Sequence, residues 1–312
     1  MLKLLVITLI CASVFAKSGQ SPTVIYGGDD RYDIYEVKDS SVLKNAASVA
    51  TRVRKQEYKI ETHWLKFANF YEQDLLSDPM SQGVCSDEKF ANQPTVGDCT
   101  GFLIADDLLA TAAHCVTSID GIVENKSNPT CDNFTWIFNY EYKTQNQKID
   151  LNAYPMSNIY SCSKVIYSRL DDNFDFAVIK LDRKVKNAQI AVLSNDEDLK
   201  RGTKIYSIGH PSGLPKKYTN DAKVLKNRKD ISTFEMNLDS FGGASGSPIF
   251  DEKNHEVVGI LVRGRDDYTF DEEENCYRVN SCTNSGRRCN RSRYMGEAEE
   301  ATKIKFIKGL KL

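Results

Sequence analysis

Apolar and polar positions along the chain fall into short blocks. "GFLIADDLLATAAHC" (101–115) is an apolar run, an Asp106–Asp107 turn and a second apolar run, which predicts a β-hairpin. "FAVIKL" (176–181), "KIYSIG" (204–209), "SPIF" (247–250) and "VVGILV" (257–262) predict four more strands, with the turn "DEKNHE" between the last two. Short strands punctuated by turn signals predict an all-β sandwich or barrel. Upstream the period changes. Val42, Ala46, Val49, Ala50 and Val53 mark one face behind a Ser40 or Ser41 cap, and Ile60, His63, Phe67 and Phe70 continue it. This spacing predicts a helix over 40–71, with His63 as a packing residue rather than a ligand.

The first residues, "MLKLLVITLICASVFAKSGQ", carry Lys3, an apolar run from Leu4 to Val14, and small Ala16 with Val14 two positions before it. That is the pattern of a secretory signal cleaved after Ala16, and the run is too short to span a bilayer. Ile10 occupies the position where a lipidated Cys11 would need a small neighbour. Removal of Cys11 leaves eight cysteines, at 85, 99, 115, 131, 162, 276, 282 and 289. An even count behind an export signal implies disulfides in a secreted or periplasmic protein. No cysteine pair has zinc-knuckle spacing and the histidines at 63, 114, 210 and 255 are scattered, so no metal is expected. A net charge of −2 over 312 residues argues against nucleic acid and, after signal removal, against a polybasic membrane anchor. The acidic "DEEEN" (271–275) has the composition of a solvated loop, with calcium binding the alternative.

Chemistry concentrates in three places. "FGGASGSPIF" (241–250) places Ser245 among glycines, which suits either a tight turn or an exposed nucleophile with amides nearby. His114 ends the predicted hairpin in "TAAHC", where its imidazole can face a cleft. Cys115 follows it and Cys99 opens the hairpin; a bond between them would tie the strand start to the residue beside His114. Asp175 leads into the apolar "FAVIKL", and a carboxylate there is costly to bury unpaired. Paired with an imidazole N–H, it would fix the tautomer and stabilise the imidazolium. Three such contexts in the order His, Asp, Ser favour Ser245 as a nucleophile, with the Gly243 and Ser245 amides as an oxyanion hole.

"TAAHC", "DFAVIKL" and "GASGSPIF" together resemble the three motifs of chymotrypsin-like serine peptidases over residues 84–265. "VIYGGDDR" (24–31) and "GSPIF…VVGILV" resemble the bacterial glutamyl endopeptidase branch. The resemblance implies two six-stranded antiparallel Greek-key barrels, with His114 and Asp175 on the first and Ser245 on the second. It implies acyl transfer without a cofactor, and a substrate strand pairing beside Gly264. Asp239, followed by Ser240, matches the base of the pocket that binds Arg or Lys in trypsin-like members, whereas Leu261 stands where glutamyl endopeptidases use a histidine. Ala244 replaces an acidic or amide residue before the serine, which removes the trypsin-type ion pair to a new N-terminus. Val262 and Arg263 depart from the usual substrate-strand residues.

The expected organisation is a signal peptide (1–16), a partly helical N-terminal extension (17–83), a peptidase domain (84–265) and a cysteine-containing C-terminal segment packed on it (266–312). A short pro-segment (17–23) would leave Val24 as the mature start; a simple cut after Ala16 would leave Lys17. The expected activity is secreted serine endopeptidase, acting as a monomer on protein or peptide substrates after Arg or Lys. The alternative is a binding protein on the same fold with catalysis lost. An esterase is disfavoured, because β-like "SPIF" rather than a helix follows Ser245.

Overall fold

A computed structural model describes residues 24–55, 58–61, 64–67, 83–118, 120–126, 129–187, 189–195, 199–285 and 298–310. The expected signal peptide and pro-segment, His63, Phe70 and Cys289 lie outside these.

Twelve strands form two closed antiparallel barrels. The first contains β1 (Val49–Arg54), β2 (Cys99–Ala105), β3 (Leu108–Thr111), β4 (Phe134–Phe138), β5 (Ile159–Asp171) and β6 (Phe174–Leu181). Its order is β6-β3-β2-β1-β4-β5, and β5 pairs with β6 to close it; Gly121–Lys126 adds a seventh strand to β5. The second contains β7 (Lys204–Gly209), β8 (Lys217–Asn227), β9 (Thr233–Met236), β10 (Pro248–Asp251), β11 (Val257–Arg263) and β12 (Glu299–Lys303). Its order is β7-β10-β11-β12-β9-β8, closed by β7 on β8, with Arg31–Asp33 added to β8. The expected hairpin is β2–β3, paired from Gly101–Thr111 to Ala105–Leu108.

Continuous burial rather than alternation marks the central strand β6. β6 buries Phe176, Val178 and Leu181 along with Asp175, Ala177 and Ile179, because both of its faces are covered. A core of Phe102, Leu109, Trp136, Val165 and Val178 extends to Tyr206, Phe250 and Ile260 of the second barrel, so one apolar cluster bridges the two. At about 25 cal/mol per Å² of apolar surface removed from water, such side chains each contribute roughly 1.5–3 kcal/mol.

The barrels reach beyond 84–265. β1 comes from the expected N-terminal extension and β12 from the expected C-terminal segment, so neither region is merely packed on a finished domain. The expected helix over 40–71 is corrected too. Among its described residues only Ser40–Ala46 is α-helical, capped by Asp39, whose carboxylate accepts the Ser41 and Val42 amides. β-Branched Val49, Thr51 and Val53 then enter β1, buried on both faces, and pairing with β2 and β4 outweighs the helical spacing of the apolar positions. The acidic 271–275 stretch is the turn of a hairpin, Tyr268–Asp271 with Cys276–Val279.

Cys99–Cys115, Cys85–Cys276 and Cys131–Cys162 are disulfides, with Cα separations of 6.1, 5.0 and 5.3 Å. Among the described residues no helix is long and apolar enough to cross a membrane.

Candidate active site

The end of β3 bends into a short 3₁₀ turn, Ala113–Cys115, and this turn carries His114 out of the barrel wall. Ala112 and Ala113 are fully buried behind it, and the Cys99–Cys115 bond fixes its far side to the start of β2. Asp175 is the second residue of β6, 6% exposed, and it meets His114 twice. Oδ2 lies 2.6 Å from His114 Nδ1, and Oδ1 accepts the His114 backbone amide at 3.1 Å. The two bonds fix both ring and backbone of the histidine. With Nδ1–H held by the carboxylate, Nε2 is the ring nitrogen left to act as a base.

Ser245 sits in the bend between Leu238 and β10. Gly243 and Gly246 there take φ of 90° and 89°, a region closed to most side chains. Space reinforces the choice: a Cβ on Gly243 would sit 2.8 Å from Gly213 N and His210 O, and one on Gly246 would collide with Thr100 O. The amides of Ala244, Gly246 and Ser247 bond to Phe241, Leu261 and Ala244 carbonyls. Those of Gly243 and Ser245 have no acceptor among the described residues. Thr100 clamps the bend from β2, its amide donating to Ser245 O at 2.8 Å and its hydroxyl to Gly243 O at 2.9 Å.

His114, Ser245, Gly242 and Gly243 line one cavity of about 490 Å³, together with Asp98, Arg54, Ser212, Asp267 and Tyr268. A base oriented by a carboxylate, a serine and two unclaimed amides therefore share one water-accessible space. This arrangement can carry proton transfer, nucleophilic attack and stabilisation of an oxyanion. Cys99, His114 and Cys115 cluster as potential metal ligands, but their two sulfurs are consumed by the disulfide.

Asp239 and Ser240 have other surroundings than those expected. Both are buried, at 4% and 2%, and neither is among the described residues lining this cavity. Asp239 Oδ1 accepts the Tyr26 amide at 2.7 Å and Oδ2 the Asp30 amide at 2.8 Å. The N-terminal segment thus occupies both oxygens. Burial nevertheless pushes the Asp239 carboxyl up to about 7. Gly264 follows the end of β11 and lies next to Glu299: a Cβ there would run into the Glu299 carboxylate.

Three residues close to the site elements have no sequence signal: Asp267, which lines the cavity, and the buried Glu299 and Thr302. All lie in the tail, outside the three motifs. Asp267 Oδ2 accepts the Gly242 amide at 2.9 Å, and Thr302 Oγ1 donates to Asp175 O at 3.1 Å.

Solved structures similar to this chain are proteases of low identity. They include the Glu endopeptidase in complex with MPD (16% identity, 91% of this chain and 96% of that one, TM-score 0.46). They also include the VesB protease of Vibrio cholerae (13%, 91% and 65%, TM-score 0.46) and the inactive form of the Rv3671c protease (17%, 77% and 88%, TM-score 0.42). No curated protein matches the chain. A family model, the trypsin-like peptidase domain, matches residues 99–260, from the start of β2 into β11 and so across His114, Asp175 and Ser245. That match spans more than half of the 312 residues, and the chain belongs to the trypsin-like peptidase family.

Proposed function

We propose that this protein is a secreted serine endopeptidase that cleaves peptide bonds through an acyl-enzyme. The observation that carries the reading is His114, held by Asp175 at 2.6 Å and facing the cavity that Ser245 also lines. Ser245 attacks the scissile carbonyl while His114 takes its proton; the tetrahedral oxyanion settles on the Gly243 and Ser245 amides. His114 then returns the proton to the leaving amine, and water repeats the sequence to release the acid. Asp175 keeps Nε2 as the basic nitrogen and stabilises the imidazolium. The export-type N-terminal sequence and the disulfides support a secreted enzyme.

Titration with a fluorophosphonate tests the serine chemistry. One equivalent of label on Ser245 is expected. Absence of label on the folded protein would favour the alternative, a binding protein that keeps the fold without the reaction.

A further inference from the structure

The second barrel carries another cavity, of about 400 Å³, and its described lining holds five cations from four places in the chain. Lys200 and Arg201 precede β7, and Lys229 stands in the turn between β8 and β9. Lys303 ends β12, and Lys305 opens the short helix Lys305–Lys308. Asn227 donates to Leu199 O at 2.6 Å and so ties the segment before β7 to the end of β8. Among the described residues no carboxylate lines this cavity, and none of its lining is shared with the cavity of Ser245.

The charge is not cancelled locally. Among the described residues Lys200, Arg201, Lys303 and Lys305 make no ion pair, and Asp230, next to Lys229, is committed to Arg228 at 2.6 Å. Lys303 is only 8% exposed, and its ammonium donates to Arg228 O and Ile231 O, both at 2.6 Å. Those bonds fix a cation in the cavity wall and use two of its three N–H donors. Burial, then the charge of Lys305, lowers the pKa of Lys303. Like charges gathered around a concavity repel one another and focus a positive potential, which a multiply charged anion relieves. The volume falls among those of small-molecule sites, about 300–1,000 Å³. Guanidinium and ammonium groups supply the charge-assisted donors that such an anion accepts.

We infer that this cavity binds a small, multiply charged oxyanion, a phosphate or sulfate ester group, at a site separate from Ser245. The inference does not depend on the endopeptidase reading, since it needs no reaction at the serine. A bound anion clamps the segment before β7 to the end of β12, two parts of the barrel that do not pair with each other.

Inorganic pyrophosphate and a fully sulfated disaccharide are titrated calorimetrically into the whole protein, with ionic strength held constant by sodium chloride. Saturable binding of one equivalent is expected from at least one of them, and the tighter of the two names the source, phosphate or sulfate. Lys200→Gln with Arg201→Gln, and separately Lys305→Gln, should each weaken binding at least about tenfold by removing charge-assisted contacts. Lys305→Arg, which keeps the charge, should restore it. Lys38→Gln with Lys44→Gln removes two exposed cations elsewhere and should change binding less than about twofold. Wild-type affinity in the Lys200 and Arg201 variant, an equal loss in the Lys38 and Lys44 control, or binding of neither anion overturns the inference. So does binding that emerges only when Asp196, Glu197 and Asp198, the acids preceding Leu199, are replaced by their amides. Anion binding by a folded protein that takes no fluorophosphonate would refute the peptidase reading and leave this site standing.

Discussion

Thr302 donates its hydroxyl to the carbonyl oxygen of Asp175 at 3.1 Å, so the last strand of the second barrel holds the acid of the first. Thr302 is buried, as is Asp175. A strand from the tail thereby sets the position of the carboxylate that orients His114. Thr302→Val keeps the shape and removes the donor. It should cost about 1–3 kcal/mol of stability by leaving a buried carbonyl unpaired. It should also lower kcat several-fold with KM nearly unchanged, since His114 rather than the substrate is displaced. Denaturant unfolding and steady-state kinetics check both effects.

Ser245→Ala removes one oxygen from a partly exposed side chain that, among the described residues, makes no side-chain hydrogen bond. Hydrolysis should fall by several orders of magnitude, as when other nucleophiles of this kind are removed. The melting temperature should stay within a degree or two of the wild type. Retention of a tenth of the activity would exclude Ser245 as the nucleophile.

Replacing Cys99 and Cys115 together by serine opens a loop of sequence separation 16. The chain-entropy model gives a loss of about 3 kcal/mol. Activity should fall as well, because Cys115 adjoins His114 and its carbonyl accepts from the Arg52 guanidinium. Non-reducing peptide mapping should recover 99–115, 85–276 and 131–162 as linked peptides; a different pairing would contradict the fold.

Asp239 predicts how stability changes with pH. Its carboxyl is raised by burial to about 7 in the folded protein, against 3.8 for the free group. Between these values the unfolded chain loses the proton while the folded chain keeps it, so this contribution to stability falls as pH rises from about 4 to about 7 and is level above. Asp239→Asn abolishes the titration. Its melting temperature plotted from pH 4 to 8 should be flatter than the wild-type curve, whatever its absolute height. Parallel curves would show that Asp239 does not titrate there.

Much of this architecture is legible in the sequence because the informative segments are short and locally consistent. β2–β3, β7 and β11 announce themselves through apolar runs between turns, and His114, Asp175 and Ser245 each stand in such a segment. Residues 40–71 misled because alanine and valine at helical intervals suit a doubly buried strand as well as a helix. β12 is opaque for the opposite reason. "EEATK" reads as a polar surface stretch, yet all five residues are buried, since β9 and β11 enclose the strand from either side. The partners of Asp239 were hidden too: the amides of Tyr26 and Asp30 lie more than 200 positions away, and no local pattern encodes such a meeting.

The Cys85–Cys276 bond, with 191 positions between its ends, embraces His114, Asp175 and Ser245 in a single covalent ring. A peptidase held at high concentration is exposed to its own kind, and a loop such as 228–232 offers a place to be cut. Any one scission inside the ring converts the protein into two chains without releasing either. The molecule would migrate as intact until a reductant is added, then separate into fragments, so nicked and unnicked enzyme would be indistinguishable by mass alone apart from one added water.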